Sequence, residues 1–293
     1  MVPNPEITPP SLRVALPKGR MYEGVVKLLA GAGIELRASG RSYRPTLNLE
    51  DAEVKLLKPQ NIVEMLHMGS RDVGFAGADW AAELNADLHE VLDIGLDPVR
   101  VVAAAPIAFL EGGALPDKPM VVVSEYEQLT KAWIARRGLD ATFLRAYGAT
   151  EVFPPEDADV IVDNTATGST LVANKLQIVD TVMTSSTRLY ASRQAMADPS
   201  RRTRIEDLAL LLRAVLAART RVLIEVNVSA ESLPKLLEIV PSMREPTVSK
   251  LASGGGFAVK AAVPRNELPV LIPRLKAAGG SDVIVTALAQ IVV

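Results

Sequence analysis

The sequence predicts an α/β protein with a smaller, differently ordered α/β domain at its C-terminal end, on three observations. Short β-rich runs alternate with segments of helical spacing through the first two-thirds of the chain. Several of those runs end in turns of glycine, hydroxyl and charged residues. Near residue 220 the alternation gives way to strand, helix, strand, strand, helix, strand.

The elements follow in order. "LRVALP" (12–17) is a short β-rich run, and "MYEGVVKLLAGAG" (21–33) spaces Val25, Val26, Leu28 and Leu29 as a helix that ends on glycine. "AEVKLLK" (52–58) predicts a strand, "NIVEMLHMG" (61–69) a helix stopped by Gly69, and "DVGFAG" (72–77) a buried strand. Further strands are predicted at "VRVVAAAP" (99–106), "PMVVVS" (119–124), "ATFLRAYG" (141–148) and "ADVIVD" (158–163), with a helix at "EQLTKAWIARRG" (127–138). Strands separated this regularly by helices predict layers with mostly parallel strands. "RIEDLALLLRAVLAAR" (204–219) is amphipathic, with Ile205, Leu208, Leu211, Leu212, Val215 and Leu216 on one side. Beyond it, "RVLIEVNVS", "ESLPKLLEIV", "TVSKLA", "GGFAVKAAVP", "NELPVLIPRLKAAG" and "DVIVTALAQIVV" reproduce the ferredoxin-like β-α-β-β-α-β order.

Composition removes whole classes of function. With 293 residues, 48% hydrophobic, 23% charged and a formal net charge of −2, the chain has no global attraction to nucleic acid or anionic membrane. The absence of cysteine excludes disulfides, thiolate chemistry and cysteine-based zinc sites. Two histidines, His67 and His89, exclude a multi-histidine metal cage; both read as structural. No apolar run approaches the roughly 18 residues of a membrane span. The start, "MVPNPEITPPSLR", has no signal-peptide core and predicts a disordered lead-in to a cytoplasmic protein.

Four turns carry the candidate chemistry. In "ADVIVDNTATGSTLVANKL" (158–176) an apolar run stops at Asp163, and Thr165, Ala166, Thr167, Gly168, Ser169, Thr170 and Leu171 lead into a helical pattern. Helix N-termini offer unpaired N–H groups to an anion, Gly168 admits close backbone approach, and hydroxyls add donors. Asp163 suits ribose hydroxyls. An ordinary strand–turn–helix with a Ser/Thr cap explains the same residues. In "ALPKGR", Lys18, Gly19 and Arg20 follow a strand end, where open α/β sheets bind ligands and cations suit phosphates; a solvated basic turn is the alternative. In "RDVGFAGADW", Gly74 and Gly77 leave room for a base or phosphate beside Asp79, or simply let helix and strand pack closely. Lys58 precedes a Pro-started helix and is a second possible anion contact. No nucleophile elbow, Walker sequence, HExxH or triad is present, which fits a reaction run by phosphate binding and positioning.

Together, "RVALPKGR", "DVGFAGADW", "DADVIVDNTATGSTLVANKL", "MTSSTRLYAS" and "REPTVSKLAS" resemble, in that order, the ATP phosphoribosyltransferase family, and the last β-α-β-β-α-β unit resembles the regulatory domain of its long form. The resemblance runs from about Leu12 to the C-terminus and implies a two-lobed, periplasmic-binding-protein-like catalytic part. Lobe I would take 1–97 with 184–218, lobe II 98–183, and the regulatory domain 219–293. The implied reaction joins adenine N1 of ATP to the anomeric carbon of phosphoribosyl pyrophosphate (PRPP), the first step of histidine biosynthesis. The implied PRPP site is Asp163 to Leu171, with Lys18, Gly19 and Arg20 facing pyrophosphate or nucleotide phosphates. Gly77, Asp79 and Lys58 would serve ATP, and Lys18, Arg20 and Asp163 would act in catalysis. Mg2+ would arrive on PRPP, with no protein ligand implied. Histidine would inhibit through Asn227 and Thr247, in dimers and hexamers. Thr187 stands where the family usually has alanine, Asn227 where some members have Asp, and Gly254, Gly255 and Gly256 predict a loose hairpin. A non-catalytic small-molecule sensor on the same two-lobed fold is the competing reading.

Overall fold

The structure is a computed structural model that describes residues 11–37, 43–252 and 254–292; the lead-in expected over residues 1–10 lies outside them. Two compact units are present, one made of the chain up to Lys27 with Glu35–Ala209, the other of Leu28–Ile34 with Leu210–Val293. Among the described residues no helix is long and apolar enough to cross a membrane.

The first unit begins with β1 (Leu12–Pro17) and α1 (Met21–Gly31), and the short pair β2 (Leu36–Arg37) and β3 (Thr46–Leu47). Then come β4 (Ala52–Leu57), α2 (Pro59–His67), β5 (Val73–Gly77), α3 (Ala78–Glu83) and the long β6 (Leu88–Pro106). After β7 (Met120–Ser124), α4 (Glu127–Arg137), β8 (Ala141–Arg145), β9 (Val160–Thr165) and α5 (Ser169–Ala173), the chain returns along β10 (Leu176–Ser192) to α6 (Arg193–Ala197) and α7 (Pro199–Arg219). One eight-stranded sheet results, in the order β4-β1-β5-β10-β6-β9-β7-β8.

Four of that sheet's seven neighbour pairs are parallel, as expected, but its centre is not. β1 runs parallel to β4 and β5, and β7 to β8 and β9, as βαβ crossovers require. The centre is antiparallel: β10 pairs with β5 and β6, and β6 with β9. β6 and β10, 19 and 17 residues long, form a ribbon through the middle of the unit. Its register slips where Ser185 faces Val99 but Thr187 faces Leu96 and Arg188 faces Asp93. Gly95 and Asp97 there adopt φ of +67° and +48°, and the Thr187 hydroxyl donates to Asp97 Oδ2 at 3.1 Å. Bulges of this kind bend a strand without ending its ladder.

The continuous "VVAAA" run makes sense because β6 is covered on both faces. Val101, Ala103 and Ala105 pack with Val122, Tyr126 and Trp133, while Val102 and Ala104 pack with Val123, Ile161 and Leu171. The Trp133 indole N–H donates to Asp180 Oδ2 at 2.9 Å, so the most voluminous fully buried side chain is also polar-satisfied. α4 is started by the buried Glu83, whose carboxylate accepts from the backbone N–H groups of Gln128 and Leu129 at 3.1 and 3.0 Å. A negative charge there complements the helix dipole. α4 ends on Gly138, whose φ of +64° is the left-handed cap.

The second unit contains the C-terminal half of α7, β11 (Arg221–Val228), α8 (Leu233–Leu237), β12 (Thr247–Lys250), β13 (Phe257–Pro264), α9 (Leu268–Ala277) and β14 (Ser281–Ala287). Its sheet order is β12-β13-β11-β14 with all neighbours antiparallel, the ferredoxin-like arrangement expected from the element order. Val222, Ile224, Val226 and Val228 alternate inward to a core with Leu236, Val259, Val263, Leu271 and Leu275. At the 254–256 hairpin, where the glycines are expected to loosen the chain, backbone hydrogen bonds and one close approach are present. Gly254 N–H donates to Leu251 O, Leu251 N–H donates to Gly256 O, each at 2.9 Å, and a Cβ on Gly256 would stand 2.5 Å from Val228 O.

Close packing also explains Gly74. A Cβ there would lie 2.8 Å from Ile62 Cγ2 and 3.0 Å from the Ala15 carbonyl oxygen, between α2 and β1. Gly74→Val overpacks this contact and should destabilise the unit by about 1–3 kcal/mol, read as a lower midpoint in urea unfolding with an unchanged slope.

Candidate active site

The C-terminal ends of β1, β4 and β5 deliver Lys18, Lys58 and Gly77 to one edge of the sheet, and the bulged part of the β6–β10 ribbon passes beside them. Two cavities open there within the first unit. One, of about 200 Å3, is lined by Lys18, Arg20, Gly77, Asp79, Trp80 and Asn164 among others. The second, of about 410 Å3, is lined by Arg20, Glu125, Asp163, Asn164 and the loop residues Thr165, Ala166, Thr167, Ser169, Thr170 and Leu171. Arg20 and Asn164 face both.

The basic turn is formed by Gly19, whose φ of +75° is a left-handed conformation suited to glycine, so Lys18 and Arg20 stand on either side of a tight bend. Lys18 N–H donates to Leu57 O at 2.8 Å, tying the turn to β4. Its ammonium sits 3.7 Å from the centre of the exposed Tyr43 ring, a cation–π contact. Lys58 caps α2 in extended conformation before Pro59; Pro59 lines the first cavity and Lys58 does not. Its charge is felt at Glu125 of the second.

The loop after β9 holds itself open by its own hydroxyls. Thr165 Oγ1 accepts from Gly168 N–H at 2.9 Å, and the Thr167 and Ser169 hydroxyls lie 3.0 Å apart. Gly168 has φ of +82° at the N-cap of α5, with no atom within 4 Å of where a Cβ would be. The loop therefore turns as a glycine requires, with free space above it. α5 has only five residues, a short dipole, so the hydroxyls and N–H groups of the loop carry more of any anion contact than the helix does.

Asp163 reaches this cavity from β9. Its Oδ2 accepts from the Thr150 hydroxyl and its Oδ1 from Asn164 N–H at 2.6 Å. Burial nevertheless pushes its carboxyl above the ordinary aspartate range, against the downward pull of those two bonds. Burial and the charge of Asp163 raise Glu125 as well, offset by Arg145 and Lys58. With Glu151, three acidic side chains line the second cavity opposite Arg20. Among the described residues there is still no group of three or more His, Cys, Asp or Glu able to hold a metal ion.

Along the wall of the first cavity runs a hydrogen-bonded chain that the sequence did not disclose. Asn164 Nδ2 donates to the Tyr126 hydroxyl at 3.0 Å, which donates to Asp79 Oδ2 at 2.7 Å, and the Ser185 hydroxyl donates to Asp79 Oδ1 at 2.7 Å. Burial, then the Asp79 charge, pushes the Tyr126 phenol up, so it stays protonated and donates. Trp80 stacks on Tyr126 with centroids 4.8 Å apart. Asp79 is thus engaged on both oxygens, and Gly77 is glycine because a Cβ would fall 2.1 Å from Asp79 Oδ1. Asn164 and Ser185 stand inside motifs already singled out, "VDNTATG" and "MTSSTRL"; Tyr126 has no such signal.

The remaining candidates lie elsewhere. His67 Nδ1 accepts from Asp87 N–H at 3.1 Å, and His89 sits opposite Ala191 in the ribbon, both away from the lining of either cavity. In the second unit Thr247 lines a cavity of about 560 Å3 with Arg244, Glu245 and Lys260. Asn227 does not line it: its amide donates to Asp282 Oδ2 at 3.2 Å, one row along the same sheet face.

Because the folded-state value of Asp163 lies above its unfolded value, ionisation favours the unfolded chain, and stability is lost as pH rises through that window. Asp163→Asn removes the cost. Its thermal midpoint should match the unmodified chain below about pH 4 and exceed it increasingly above, in scanning calorimetry across pH 4–8.

The comparisons agree with this architecture. Residues 58–214 match the family model described as ATP phosphoribosyltransferase, and residues 218–290 match that described as HisG, C-terminal domain. An ATP phosphoribosyltransferase of Chlorobium luteolum is 37% identical over 277 residues, covering 93% of this chain and 94% of its own. One from Pelotomaculum thermopropionicum is 35% identical over 293 residues, covering 96% and 99%. Among solved structures, the ATP phosphoribosyl transferase (HisG:HisZ) complex from Thermotoga maritima aligns with a TM-score of 0.61 at 25% identity, covering 69% of this chain and 96% of that one. With cations, a hydroxyl-rich loop and a two-part cavity at the strand ends, and with matches of this extent, the chain belongs to the ATP phosphoribosyltransferase family.

Proposed function

We propose that the chain catalyses the condensation of ATP with PRPP to phosphoribosyl-ATP and pyrophosphate, the first step of histidine biosynthesis. The observation that carries this reading is the meeting of two cavities at Arg20 and Asn164, one with Lys18 beside aromatic walls, the other with the T-G-S-T loop and Asp163. PRPP occupies the loop cavity. Its 5-phosphate takes hydroxyl and N–H donors from Thr167 to Thr170, and its ribose hydroxyls reach Asp163. ATP occupies the first cavity beside Gly77, Asp79 and Trp80, with Gly19 and Lys58 at its phosphates.

In this pose adenine N1 attacks the anomeric carbon and the electron pair of the breaking C–O bond leaves with pyrophosphate. Lys18 and Arg20 stabilise that departing charge, and the protein supplies position more than proton transfer. Mg2+ would come with PRPP and offset phosphate charge, and Glu125, Glu151 and Asp163 are the side chains that could hold its water shell. Residues 1–97 with 184–218 form lobe I, 98–183 lobe II and 219–293 the regulatory domain. The register slips at Leu96–Val99 and Ser185–Thr187 support hinges at those crossings. Assembly into dimers and hexamers in the cytoplasm belongs to the same reading and is supported by family membership alone.

Purified protein incubated with ATP, PRPP and Mg2+ should release pyrophosphate and form phosphoribosyl-ATP by mass spectrometry. Binding of both substrates without product would favour the sensor reading. Lys18→Ala should lose at least about tenfold in kcat/KM, equivalent to ~1.4 kcal/mol of transition-state stabilisation.

Feedback control by histidine is assigned to the regulatory domain, with Thr247 and Asn227 as the candidate contacts. The Arg244, Glu245 and Lys260 side chains around Thr247 match an amino acid's carboxylate and amine. Inhibition requires histidine to favour one arrangement of the domains. Thr247→Leu should weaken histidine inhibition and leave uninhibited turnover nearly unchanged; calorimetry with unchanged histidine affinity would remove Thr247 from the site.

A further inference from the structure

The other end of β1 and β4 presents a second cationic cavity. The strands run parallel, so Ala52, Glu53 and the turn before β5 lie roughly 15–20 Å from the strand ends that carry Lys18 and Lys58, at about 3.3 Å per residue. There a cavity of about 300 Å3 is lined by Arg44, Lys55 and Arg71, with Glu53 as the acidic side chain among the described residues that line it.

Arg71 is the unusual member. It is only 7% exposed, and its Nε and Nη1 are buried with no hydrogen-bond partner among the described residues. A guanidinium stays charged at neutral pH and carries five N–H donors, so leaving three of them, one on Nε and two on Nη1, buried and unpaired is costly. The neighbouring carboxylate does not serve it. Asp72, fully buried, is held by Arg13 through Nη2 at 2.6 Å, Nε at 3.1 Å and the backbone N–H at 2.8 Å, and by Arg201 Nη1 at 3.5 Å. Glu53 is exposed on β4 and makes no ion pair with Arg71 among the described residues. Burial pushes the Arg71 guanidinium down, and Arg13 and Arg44 push the same way, against Glu53 and Asp72. The local electrostatic deficit is therefore an anion's worth of charge beside donors already dry and fixed.

We propose that this cavity is a binding site for a tetrahedral oxyanion, a phosphate either free or carried on a small sugar, with Arg71 as its principal ligand and Arg44 and Lys55 at its mouth. Fork geometry lets one guanidinium donate two parallel bonds to such an anion. At about 30 Å3 per water, the space accepts a phosphate with several waters or a pentose phosphate. The site shares no lining residue with the cavities that carry the transferase reading.

The test uses the full chain. Crystals soaked in millimolar selenate, a tetrahedral dianion with an anomalous signal, should show a peak within hydrogen-bond distance of the Arg71 guanidinium. Calorimetry with inorganic phosphate and with ribose 5-phosphate then gives the affinity, the Arg71-dependent part being the difference between the unmodified chain and Arg71→Met. Arg71→Met should lose the peak and weaken that binding at least about tenfold, while Arg71→Lys retains part of it. Tighter binding of ribose 5-phosphate assigns the site to a sugar phosphate, equal binding to the free ion. If Arg71→Met does not give the circular dichroism of the unmodified chain, Lys55→Met, on the strand edge, replaces it and should weaken binding in the same direction. No peak at Arg71, a peak that persists in Arg71→Met, or a peak only at molar salt, an adventitious ion only, overturns the proposal.

Discussion

The antiparallel pairing of β6 with β10 is the constraint on which the first unit depends. Each βαβ group on its own would be a small parallel sheet with two exposed edges, and both groups are sewn by one edge to the same ribbon instead. β5 attaches through Thr187–Ala191 of β10, and β9 through Arg100–Ala104 of β6, so the two groups grip different lengths of one ladder. Between those lengths the register slips. The ladder is continuous enough to hold the groups together and irregular enough to bend, and the side chains at the slip face the cavities. Ser185 and Thr187 are therefore both sheet residues and cavity walls.

Charge in the candidate site is segregated by element. Lys18 and Arg20 come from the turn after β1, while Glu125, Glu151 and Asp163 come from the loops and strand of the other group. Such an arrangement suits a substrate with anionic ends and a hydroxylated middle. The hydrogen-bonded chain from Asn164 through Tyr126 to Asp79 and Ser185 crosses between the groups and consists of neutral donors ending on one carboxylate. A buried network with every member satisfied fixes geometry at little cost, whereas removal of one member strands the rest.

The sequence disclosed what local chemistry controls and concealed what the ribbon decides. β1, β5, β7, β9 and α4 were legible because each is a short apolar or periodic run with its own punctuation, such as Gly138 after α4. β10 was not, because "IVDTVMTSSTRL" mixes apolar and hydroxylated residues without strict alternation: its two halves are buried against different neighbours. The first part of β6, through Asp93, Gly95 and Asp97, reads as a loop for the same reason. In the site, Lys18, Arg20 and the 163–171 loop were visible as residue types at strand ends. Tyr126 and Glu83 were invisible, because their roles are made by partners 47 and 45 residues away in sequence. Gly77, which lines the first cavity, has a second reason to be glycine that only the structure discloses: a Cβ would meet Asp79's own carboxylate.

The placing of the two tryptophans gives the molecule an optical asymmetry. Trp133 is fully buried with its indole N–H bonded to Asp180, and it lines neither cavity of the candidate site. Trp80 lies on the cavity wall, stacked on Tyr126 and one residue from Asp79. An adenine entering beside it would quench one emitter and leave the other as an internal reference. The chain thus contains, without any label, one emitter beside the first cavity and one away from it.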